Sequence, residues 1–373
     1  MSTRNHPIYN LTSQLRKHQA FTRENISRIG LYYLKLLLQE PFRILEEVNC
    51  SRKIARHRPA QDPVFIIGHW RSGTSFLQYL MSQDPRFGYM NKFQVVFPDL
   101  FLTGERVLKP LIRRIPEGLK LVNDAQNMSI NLDLDSPSEI EIGLTTMISP
   151  SSLHWGHIFP TRAREYFDKF IFFDHLSEEE KERWSQDYRH LIRKTSLKNN
   201  GRQLLIKSPG NAARMSQLLD LYPDARFIFI HRNPYDVFYS NKKMWKTLLD
   251  NLALEPFSET EMEEEIIYLY ARLMRTYLEQ RSAVPWGQLT EIRFDRFVDH
   301  PVRQLESAYN HLQIDRFDEV KPHFERFLDT QTRGKTSSYE YDPEILERLH
   351  SEWSFVFDVW DYDREAPAEK VPA

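Results

Sequence analysis

A short apolar segment is followed by residues that have the spacing of a phosphate-binding loop. Residues 64–67 predict a buried strand, and Gly68, four further residues, Gly73, Thr74 and Ser75 come directly after it. Apolar residues then recur at helical spacing, so the order is strand, loop and helix. Glycines let the backbone turn with its N–H groups inward, and the first turn of a helix adds donors and a partial positive charge. We therefore expect this loop to bind an anionic group.

The cation of the loop is an arginine that precedes the second glycine. Loops that bind ATP have a lysine directly after that glycine, where it reaches the β- and γ-phosphates, whereas this chain has Thr74 there. The positive charge is instead at Arg71, whose planar guanidinium can bind two oxygens of one compact anion. The loop therefore predicts a ligand with one reactive group next to one phosphate, rather than the triphosphate of ATP.

Two further strands end in residues suited to bind an anion. Residues 226–231 predict a buried strand that leads into Arg232, and Pro234 suits the first turn of a helix that places Ser240 about two turns on. The guanidinium and the hydroxyl can then converge on one phosphate. Another short apolar strand ends at Lys207. Because the carboxyl ends of parallel strands meet at one edge of a sheet, these groups belong to one predicted site.

With these residues the chain resembles the sulfotransferases that use 3′-phosphoadenosine 5′-phosphosulfate (PAPS). The first signature of that family is a strand followed by a basic residue, Ser-Gly-Thr and Thr or Ser, which residues 71–75 match. The second is a strand ending in Arg-Asn-Pro with a serine eight residues after the arginine, as at Arg232 and Ser240. Some branches add a Lys-Ser-Pro tripeptide, as at 207–209, and the resemblance covers about residues 62–312.

The resemblance implies a role for each matching residue. Arg71, with Lys207 second, would neutralise the charge on the bridging oxygen during transfer, and Arg232 with Ser240 would bind the 3′-phosphate. Ser208 is either a further donor-site residue or an ordinary helix start. The residues implied to bind the donor are Arg71, Ser72, Gly73, Thr74, Ser75, Arg232 and Ser240.

The resemblance also implies a fold and a reaction. We expect an α/β fold, a mostly parallel sheet flanked by helices on both faces, in the three-layer arrangement of P-loop NTPases with helical additions at both termini. The reaction would be in-line transfer of a sulfuryl group from PAPS to a hydroxyl, less commonly an amine, of a small-molecule, lipid or carbohydrate acceptor. The product would be 3′-phosphoadenosine 5′-phosphate. No metal would be required, because no string of adjacent phosphates has to be bridged.

The general base that would take the acceptor proton is not decided by the sequence. Glu139 lies where the family usually has acceptor-site residues, but Ser136, Pro137 and Glu139 also fit a capping box at the start of a helix. His157 is the second candidate, although a histidine among aromatic residues is more often packed in a core. Weaker candidates are Glu141, His154 and His69. Nearby aromatic residues form either an acceptor pocket or a core, and these are Phe87, Tyr89, Phe93, Phe97, Phe101, Trp155 and Phe159.

Two other functions stay open at this point. A P-loop nucleoside or metabolite kinase would share the loop, but Thr74 in the lysine position and the lack of a clear strand-terminal Asp for Mg²⁺ disfavour it. A nucleotide-binding sensor without turnover would keep Arg232 and Ser240 but would need no base.

Composition limits the compartment and the partners. A formal net charge of −2 over 373 residues disfavours a general nucleic-acid binder. Cys50 is the only cysteine, so no intramolecular disulfide can form and a reducing compartment is favoured. The sequence has neither the pattern of a signal peptide nor an apolar run of the ~20 residues that a membrane span needs. We expect a cytoplasmic protein and make no prediction of its oligomeric state.

We expect three segments along the chain: a helical extension at 1–61, the sulfotransferase domain at 62–330 and an extension at 331–373 packed on that domain. In the first, residues 22–56 predict an amphipathic helix that is broken at Pro41. Its apolar side either packs on the domain or faces lipid, since the segment is also basic, and the second alternative would give peripheral contact with the inner face of a membrane.

Two helix starts are marked by capping boxes. These lie at Ser177 to Glu180 and at Ser258 to Glu261, and the second predicts a long helix that ends near Arg281. The acidic run after Ser258 is then a solvated first turn rather than a metal site.

Overall fold

A parallel sheet organises the part of the chain that the computed structural model describes, residues 6–114, 134–331 and 339–365. Within these residues five strands form the sheet, in the order β2-β3-β1-β4-β5. They are β1 (Val64–Gly68), β2 (Phe87–Gly88), β3 (Gln203–Lys207), β4 (Arg226–His231) and β5 (Leu289–Arg293). All four neighbouring pairs are parallel, and β1 is central, with Phe65 opposite Ile206 on one side and Phe227 on the other.

Helices surround this sheet. In chain order they are α1 (Pro7–Lys17), α2 (Ile26–Arg56), α3 (Thr74–Met81), α4 (Lys92–Val96), α5 (Phe101–Arg113), α6 (Ile140–Thr146), α7 (Trp155–Ile158), α8 (Ala163–Phe170), α9 (Glu178–Lys198), α10 (Met215–Leu221), α11 (Pro234–Leu252), α12 (Glu259–Arg281), α13 (Phe294–Asp299), α14 (Pro301–His311), α15 (Phe317–Thr330) and α16 (Pro343–Trp360). Short 3₁₀ helices lie at Pro160–Arg162 and Pro209–Ala213.

Alternate residues of the strands enter two separate cores, one on each face of the sheet. In β1, Val64 and Ile66 belong to a core shared with α3, α14 and α15, while Phe65 and Ile67 belong to a larger core shared with α9, α11, α12 and α16. Strands β3 and β4 divide their side chains in the same way. A strand that is buried on both faces is continuously apolar, which is the pattern of a parallel sheet between two layers of helices. The expected three-layer α/β fold is confirmed.

Both predicted capping boxes are confirmed, and so is the end of the long helix. Ser177 and Ser258 each accept from the N–H of the glutamate three residues on, which in turn accepts from the N–H of the serine. Helix α12 ends at Arg281. Close to the site, α11 begins at Pro234 as the sequence predicts.

The predicted break at Pro41 is wrong. Helix α2 runs without interruption from Ile26 to Arg56 with Pro41 inside it. Proline removes one backbone hydrogen bond and is unfavourable in isolation, but helices in proteins are stabilised mainly by packing. Helix α2 packs against α5 and α9, and Pro41 lies on its exposed side. These contacts hold the helix together on both sides of the proline.

The capping box expected at Ser136 is also wrong. Helix α6 begins at Ile140, and its N-cap residue Glu139 has an extended backbone. Pro137 and Glu139 instead form isolated β-bridges with Asn91 and Lys207. Pairing with the end of a buried strand thus extends the backbone where local sequence favours a helical turn. At Ser208 the chain enters a 3₁₀ helix rather than an α-helix.

The terminal segments are helical where the structure describes them. Helices α1 and α2 come before the sheet, and α16 packs against α11 and α12 with Trp353 fully buried. The boundaries at residues 61 and 330 stay a prediction. Over the described ranges no helix is both long enough and apolar enough to cross a membrane.

Candidate active site

A pocket of about 190 Å³ lies at the carboxyl ends of β1, β3 and β4. The three strands are adjacent, so the residues that follow them are brought together although they are far apart in sequence. The pocket is lined by Trp70, Arg71, Gly73, Thr74, Ser75, Phe76, Glu139, Lys207, Pro209, Arg232, Met244 and Phe294. Seven of the residues predicted to act in catalysis or donor binding are in this set: Arg71, Gly73, Thr74, Ser75, Glu139, Lys207 and Arg232.

The loop after β1 requires glycine at its two glycine positions. Gly73 has φ +107°, and a Cβ atom there would run into the ring of Phe294. A Cβ atom at Gly68 would run into the carbonyl oxygen of Ile230 on the neighbouring strand β4. Ser72 is buried, and its Oγ donates to the carbonyl oxygen of His69 at 2.8 Å, so it closes the turn from inside rather than lining the pocket.

The start of α3 gives the pocket its backbone donors. Thr74 and Ser75, the first residues of α3, both line the pocket. Because the first turn of an α-helix has N–H groups with no acceptor inside the helix, it favours a bound anion, and the helix dipole acts in the same direction.

Three predicted donor-site residues lie close to one another. The Nε of Arg71 donates to the Oγ of Ser240 at 2.8 Å. Burial lowers the pKa of Arg71, and the positive charge of Arg232 lowers it further. An arginine starts from a pKa far above neutrality, so it stays charged, and the two neighbouring cations make a site that favours an anion. Arg71 itself has φ +70°, a left-handed backbone that is uncommon for a residue other than glycine.

Arg232 has a carboxylate partner in this structure. Its Nη2 lies 2.9 Å from Oδ2 of Asp236, one helical turn on, and its guanidinium lies 4.9 Å from the centroid of the Phe294 ring. The other oxygen of Asp236 accepts a 2.9 Å hydrogen bond from the hydroxyl of Tyr341. Arg232 just precedes α11 and Asp236 lies in its first turn, so their closeness in sequence could have suggested this pair, whereas nothing local in the sequence indicates Tyr341.

Lys207 and Glu139 form a buried ion pair in the wall of the pocket. The Nζ of Lys207 lies 2.8 Å from Oε2 of Glu139, and each side chain is 3% exposed. The Oε1 of Glu139 has no hydrogen-bond partner among the described residues. An unpartnered buried carboxylate oxygen is costly unless a ligand or water reaches it. Glu139 thus keeps one carboxylate oxygen in the wall of the pocket without a partner among the described residues.

Glu141 has a different environment. Its Oε2 lies 2.9 Å from Nη1 of Arg214, and both side chains are completely buried. Arg214 also donates to Oδ1 of Asn211 at 3.3 Å, and Asn211 donates to the hydroxyl of Tyr188 at 2.8 Å. Glu141 is therefore part of a network behind the pocket that fixes the 3₁₀ helix after β3.

His157 and Ser208 lie outside the set of side chains that line the pocket. The ring of His157 packs against Trp245 and Phe167, and burial together with the charge of His154 lowers its pKa well below the usual value. Its Nδ1 lies 3.2 Å from Nδ1 of His154. Ser208 is buried, and its backbone N–H donates to the carbonyl oxygen of Ile66 at 3.2 Å.

The apolar wall of the pocket was not predicted. It consists of Trp70, Phe76, Pro209, Met244 and Phe294. The aromatic residues suggested for an acceptor pocket are not in this set, and Phe93, Phe101 and Phe159 are fully buried in the core. Trp70 and Phe76 flank the loop motif and could have been inferred from that position. Met244 lies about three turns into α11 and carries no signal of its own. Over the described ranges no group of three or more His, Cys, Asp or Glu side chains is placed to hold a metal ion.

Comparisons with known proteins agree with this geometry. The model of the sulfotransferase family matches residues 63–319. The chain is 25% identical, over 90% of its length and 84% of the relative's, to omega-hydroxy-beta-dihydromenaquinone-9 sulfotransferase Stf3 of Mycobacterium bovis, and equally to that of Mycobacterium tuberculosis. Among solved structures, sulfotransferase STF9 of Mycobacterium avium superposes with a TM-score of 0.74 at 18% identity, covering 98% of this chain and 94% of that one. Sulfotransferase STF1 of Mycobacterium tuberculosis superposes with a TM-score of 0.67 at 13% identity, covering 94% of this chain and 91% of that one.

These two structures show the shared fold, and the family match shows the activity. The kinase and sensor alternatives are accordingly not favoured. Since the family model covers well over half of the chain and includes every residue that lines the pocket, this chain belongs to the sulfotransferase family and is an enzyme that transfers a sulfuryl group.

Proposed function

We propose that this enzyme transfers the sulfuryl group of PAPS to a hydroxyl group of a small-molecule or lipid acceptor. The observation that carries the proposal is the meeting of Arg71, Lys207 and Arg232 with the start of α3 in one pocket. PAPS has two separate anionic groups, a 5′-phosphosulfate and a 3′-phosphate. The loop residues 71–75 would bind the first, and Arg232 with Ser240 would bind the second.

The apolar residues of the pocket wall fit an apolar acceptor. Trp70, Pro209 and Met244 line the pocket together with Glu139. A hydroxyl at the end of an apolar molecule would meet the free Oε1 of Glu139 while the rest of the molecule contacts the apolar side chains. The mycobacterial relative is named for a hydroxylated menaquinone derivative, which supports a lipid acceptor here.

The proposed reaction assigns one task to each charged residue. The acceptor oxygen attacks sulfur, the bond from sulfur to the 5′-phosphate oxygen breaks, and 3′-phosphoadenosine 5′-phosphate leaves. Glu139 takes the hydroxyl proton at Oε1. Arg71 and Lys207 stabilise the negative charge that grows on the leaving oxygen. Ser240 also lies outside the pocket lining but contacts Arg71 directly, whereas His157 packs against Trp245 and Phe167 and is given no task, and none is given to Ser208.

We also propose a cytoplasmic protein with peripheral contact at the inner face of the membrane, where a lipid acceptor would be found. Exposed leucines on α2 support such a contact. Cys50 as the sole cysteine fits a reducing compartment, and the formal net charge of −2 disfavours nucleic acid as a partner.

One experiment separates these proposals from the alternatives. Calorimetry with 3′-phosphoadenosine 5′-phosphate and with ATP is followed by transfer of labelled sulfate from PAPS to a panel of lipid and phenolic alcohols. We expect tight binding of the bisphosphate, weak binding of ATP and transfer to at least one lipid alcohol. Preference for ATP would refute the donor assignment. Transfer to phenols alone would refute the lipid acceptor.

A further inference from the structure

Helix α2 has an outer side that is apolar along most of its length. From Gly30 to Val48 every exposed residue is apolar. The large side chains among them are exposed by 50–75%: Leu31, Leu34, Leu37, Leu38, Ile44, Leu45 and Val48. Single exposed apolar residues are common on protein surfaces, but a contiguous apolar surface of this extent marks an interaction site.

The apolar side is broad, and a second helix extends it. At about 100° per residue these positions cover an arc of roughly 140° on a helical wheel. The a and d positions of a coiled coil form a narrower stripe. Helix α5 packs against α2 and adds exposed apolar residues, with Val107 55% and Leu111 52% exposed. The surface is therefore a two-helix apolar face rather than a single seam.

The charges at the two ends of this face are almost all positive. Between residues 21 and 56 the exposed charged residues are Arg23, Arg28, Arg52, Lys53 and Arg56, which are basic, and Glu24, which is acidic. Two acidic residues on the inner side of α2 are neutralised, Glu40 by Arg43 and Glu46 by Lys194. A chain with a formal net charge of −2 thus has mostly basic residues at both ends of its apolar face, here called the basic rim.

We propose that the outer face of α2, extended by α5, binds the surface of an anionic phospholipid bilayer, with α2 lying in the plane of the interface. An apolar helical side flanked by arginine and lysine is the pattern of such helices. The proposal deepens the proposed function, because it brings the protein to the phase that holds a lipid acceptor. A second copy of the chain is disfavoured as the occupant, since two basic rims would repel each other across a two-fold interface.

A series of packed helices connects this face to the pocket. Helix α5 packs on α4, and α4 packs on α6, whose N-cap residue is Glu139. The membrane-binding face and the carboxylate proposed as the base therefore belong to one continuous set of packed helices.

Vesicle flotation tests the proposal, with vesicles of phosphatidylcholine alone and vesicles that also contain phosphatidylglycerol. Leu38→Gln/Leu45→Gln removes two leucines from the face, and Val298→Gln/Val359→Gln is the matched control on exposed apolar residues of α13 and α16. We expect the wild type and the control to float with the anionic vesicles. The leucine variant should bind these vesicles at least about tenfold more weakly than the wild type. It lacks two apolar side chains that would be buried in the bilayer.

A charge variant tests the basic rim. Arg52→Gln/Arg56→Gln should weaken binding to anionic vesicles roughly 30-fold, because each of two arginines near an anionic surface contributes about fivefold. Binding of all proteins should also fall with added salt. Equal binding to both kinds of vesicle, or no binding by the wild type, would overturn the proposal.

Two further measurements keep this proposal separate from the proposed function. With a water-soluble alcohol and no vesicles, the leucine variant should transfer sulfate as fast as the wild type. If the wild type floats with vesicles but transfers sulfate to no acceptor, the proposed membrane-binding face is supported and the proposed function is refuted. Sedimentation analysis should show the same mass for the wild type and the leucine variant. A wild-type dimer that is lost in the leucine variant would show that a second copy covers the face, which would refute the proposal.

Discussion

Replacing Arg232 with alanine should weaken the binding of 3′-phosphoadenosine 5′-phosphate but not of adenosine 5′-phosphate, which lacks the 3′-phosphate. In the structure Arg232 is 17% exposed, pairs with Asp236 at 2.9 Å and lies 4.9 Å from the centroid of the Phe294 ring. The guanidinium is thus held in place before the ligand arrives. The loss of one hydrogen bond to a charged group costs about 1.5–3 kcal/mol. That range corresponds to a dissociation constant roughly 10- to 150-fold higher.

The variant should remain folded, which makes the affinity change interpretable. Asp236 keeps the hydrogen bond from Tyr341 when Arg232 is removed, and ion pairs one helical turn apart contribute about 0.3–0.5 kcal/mol. Arg348→Ala is the matched control, because Arg348 also forms an ion pair, at 2.6 Å with Glu264, on a surface away from the pocket. It should leave both affinities unchanged.

Titration calorimetry with the two nucleotides on wild type, Arg232→Ala and Arg348→Ala gives the required comparison. A specific contact with the 3′-phosphate predicts that only the bisphosphate is affected, and only by Arg232→Ala. Equal weakening of both nucleotides by Arg232→Ala would mean that it contacts another part of the ligand. Unchanged affinity for both would refute the assignment of the 3′-phosphate site.

Three other changes test the remaining parts of the structure. Glu139→Gln should lower kcat about 10²- to 10⁴-fold, the usual contribution of a general base, with affinity for the bisphosphate maintained; a kcat within a few-fold of wild type would remove Glu139 from the mechanism. Arg214→Ala should destabilise the protein by about 3–5 kcal/mol in chemical denaturation, since it leaves the buried carboxylate of Glu141 without its partner, and a loss below about 1 kcal/mol, the size of an exposed ion pair, would contradict that role. Acidification should destabilise the fold as well. Burial lowers the pKa of His69 and of His231 to about 4. Between about pH 6.5 and pH 4 the unfolded chain therefore binds more protons than the native one. The free energy of unfolding should fall by on the order of 2 kcal/mol for each of them from about pH 7 to pH 5. In urea titrations at both values, a stability that does not decrease would contradict this reasoning.

The grouping of the residues proposed to bind the donor could be predicted from the sequence, because each part of it is a local pattern. A strand, a loop with two glycines and a helix start fix the backbone around Arg71 within a few residues. Arg232 and Ser240 are likewise placed by one strand and one helix. Parallel strands then bring the two segments together at the same sheet edge, which follows from topology alone.

The acceptor side could not be predicted in the same way, because it depends on contacts between distant segments. Glu139 was compatible with a capping box until the structure showed it paired with Lys207, 68 residues away. Asp236 is locally readable, but Tyr341 reaches it from the last described segment of the chain, 105 residues on. At Pro41 local propensity predicted a break that packing against α5 and α9 prevents. Each of these outcomes is set by tertiary contacts rather than by neighbouring residues.

The ion pair of Glu139 with Lys207 has a consequence for electroneutrality during turnover. As a pair the two residues carry no net charge, and Arg232 is likewise paired with Asp236, so the cationic character of the pocket comes mainly from Arg71. In the proposed reaction Glu139 accepts the acceptor proton, and the pair becomes a single cation. In the same step the departing nucleotide gains one negative charge at the oxygen released from sulfur. The wall of the pocket therefore changes its charge in step with the leaving group, and loss of that proton to solvent after product release returns the site to its starting state.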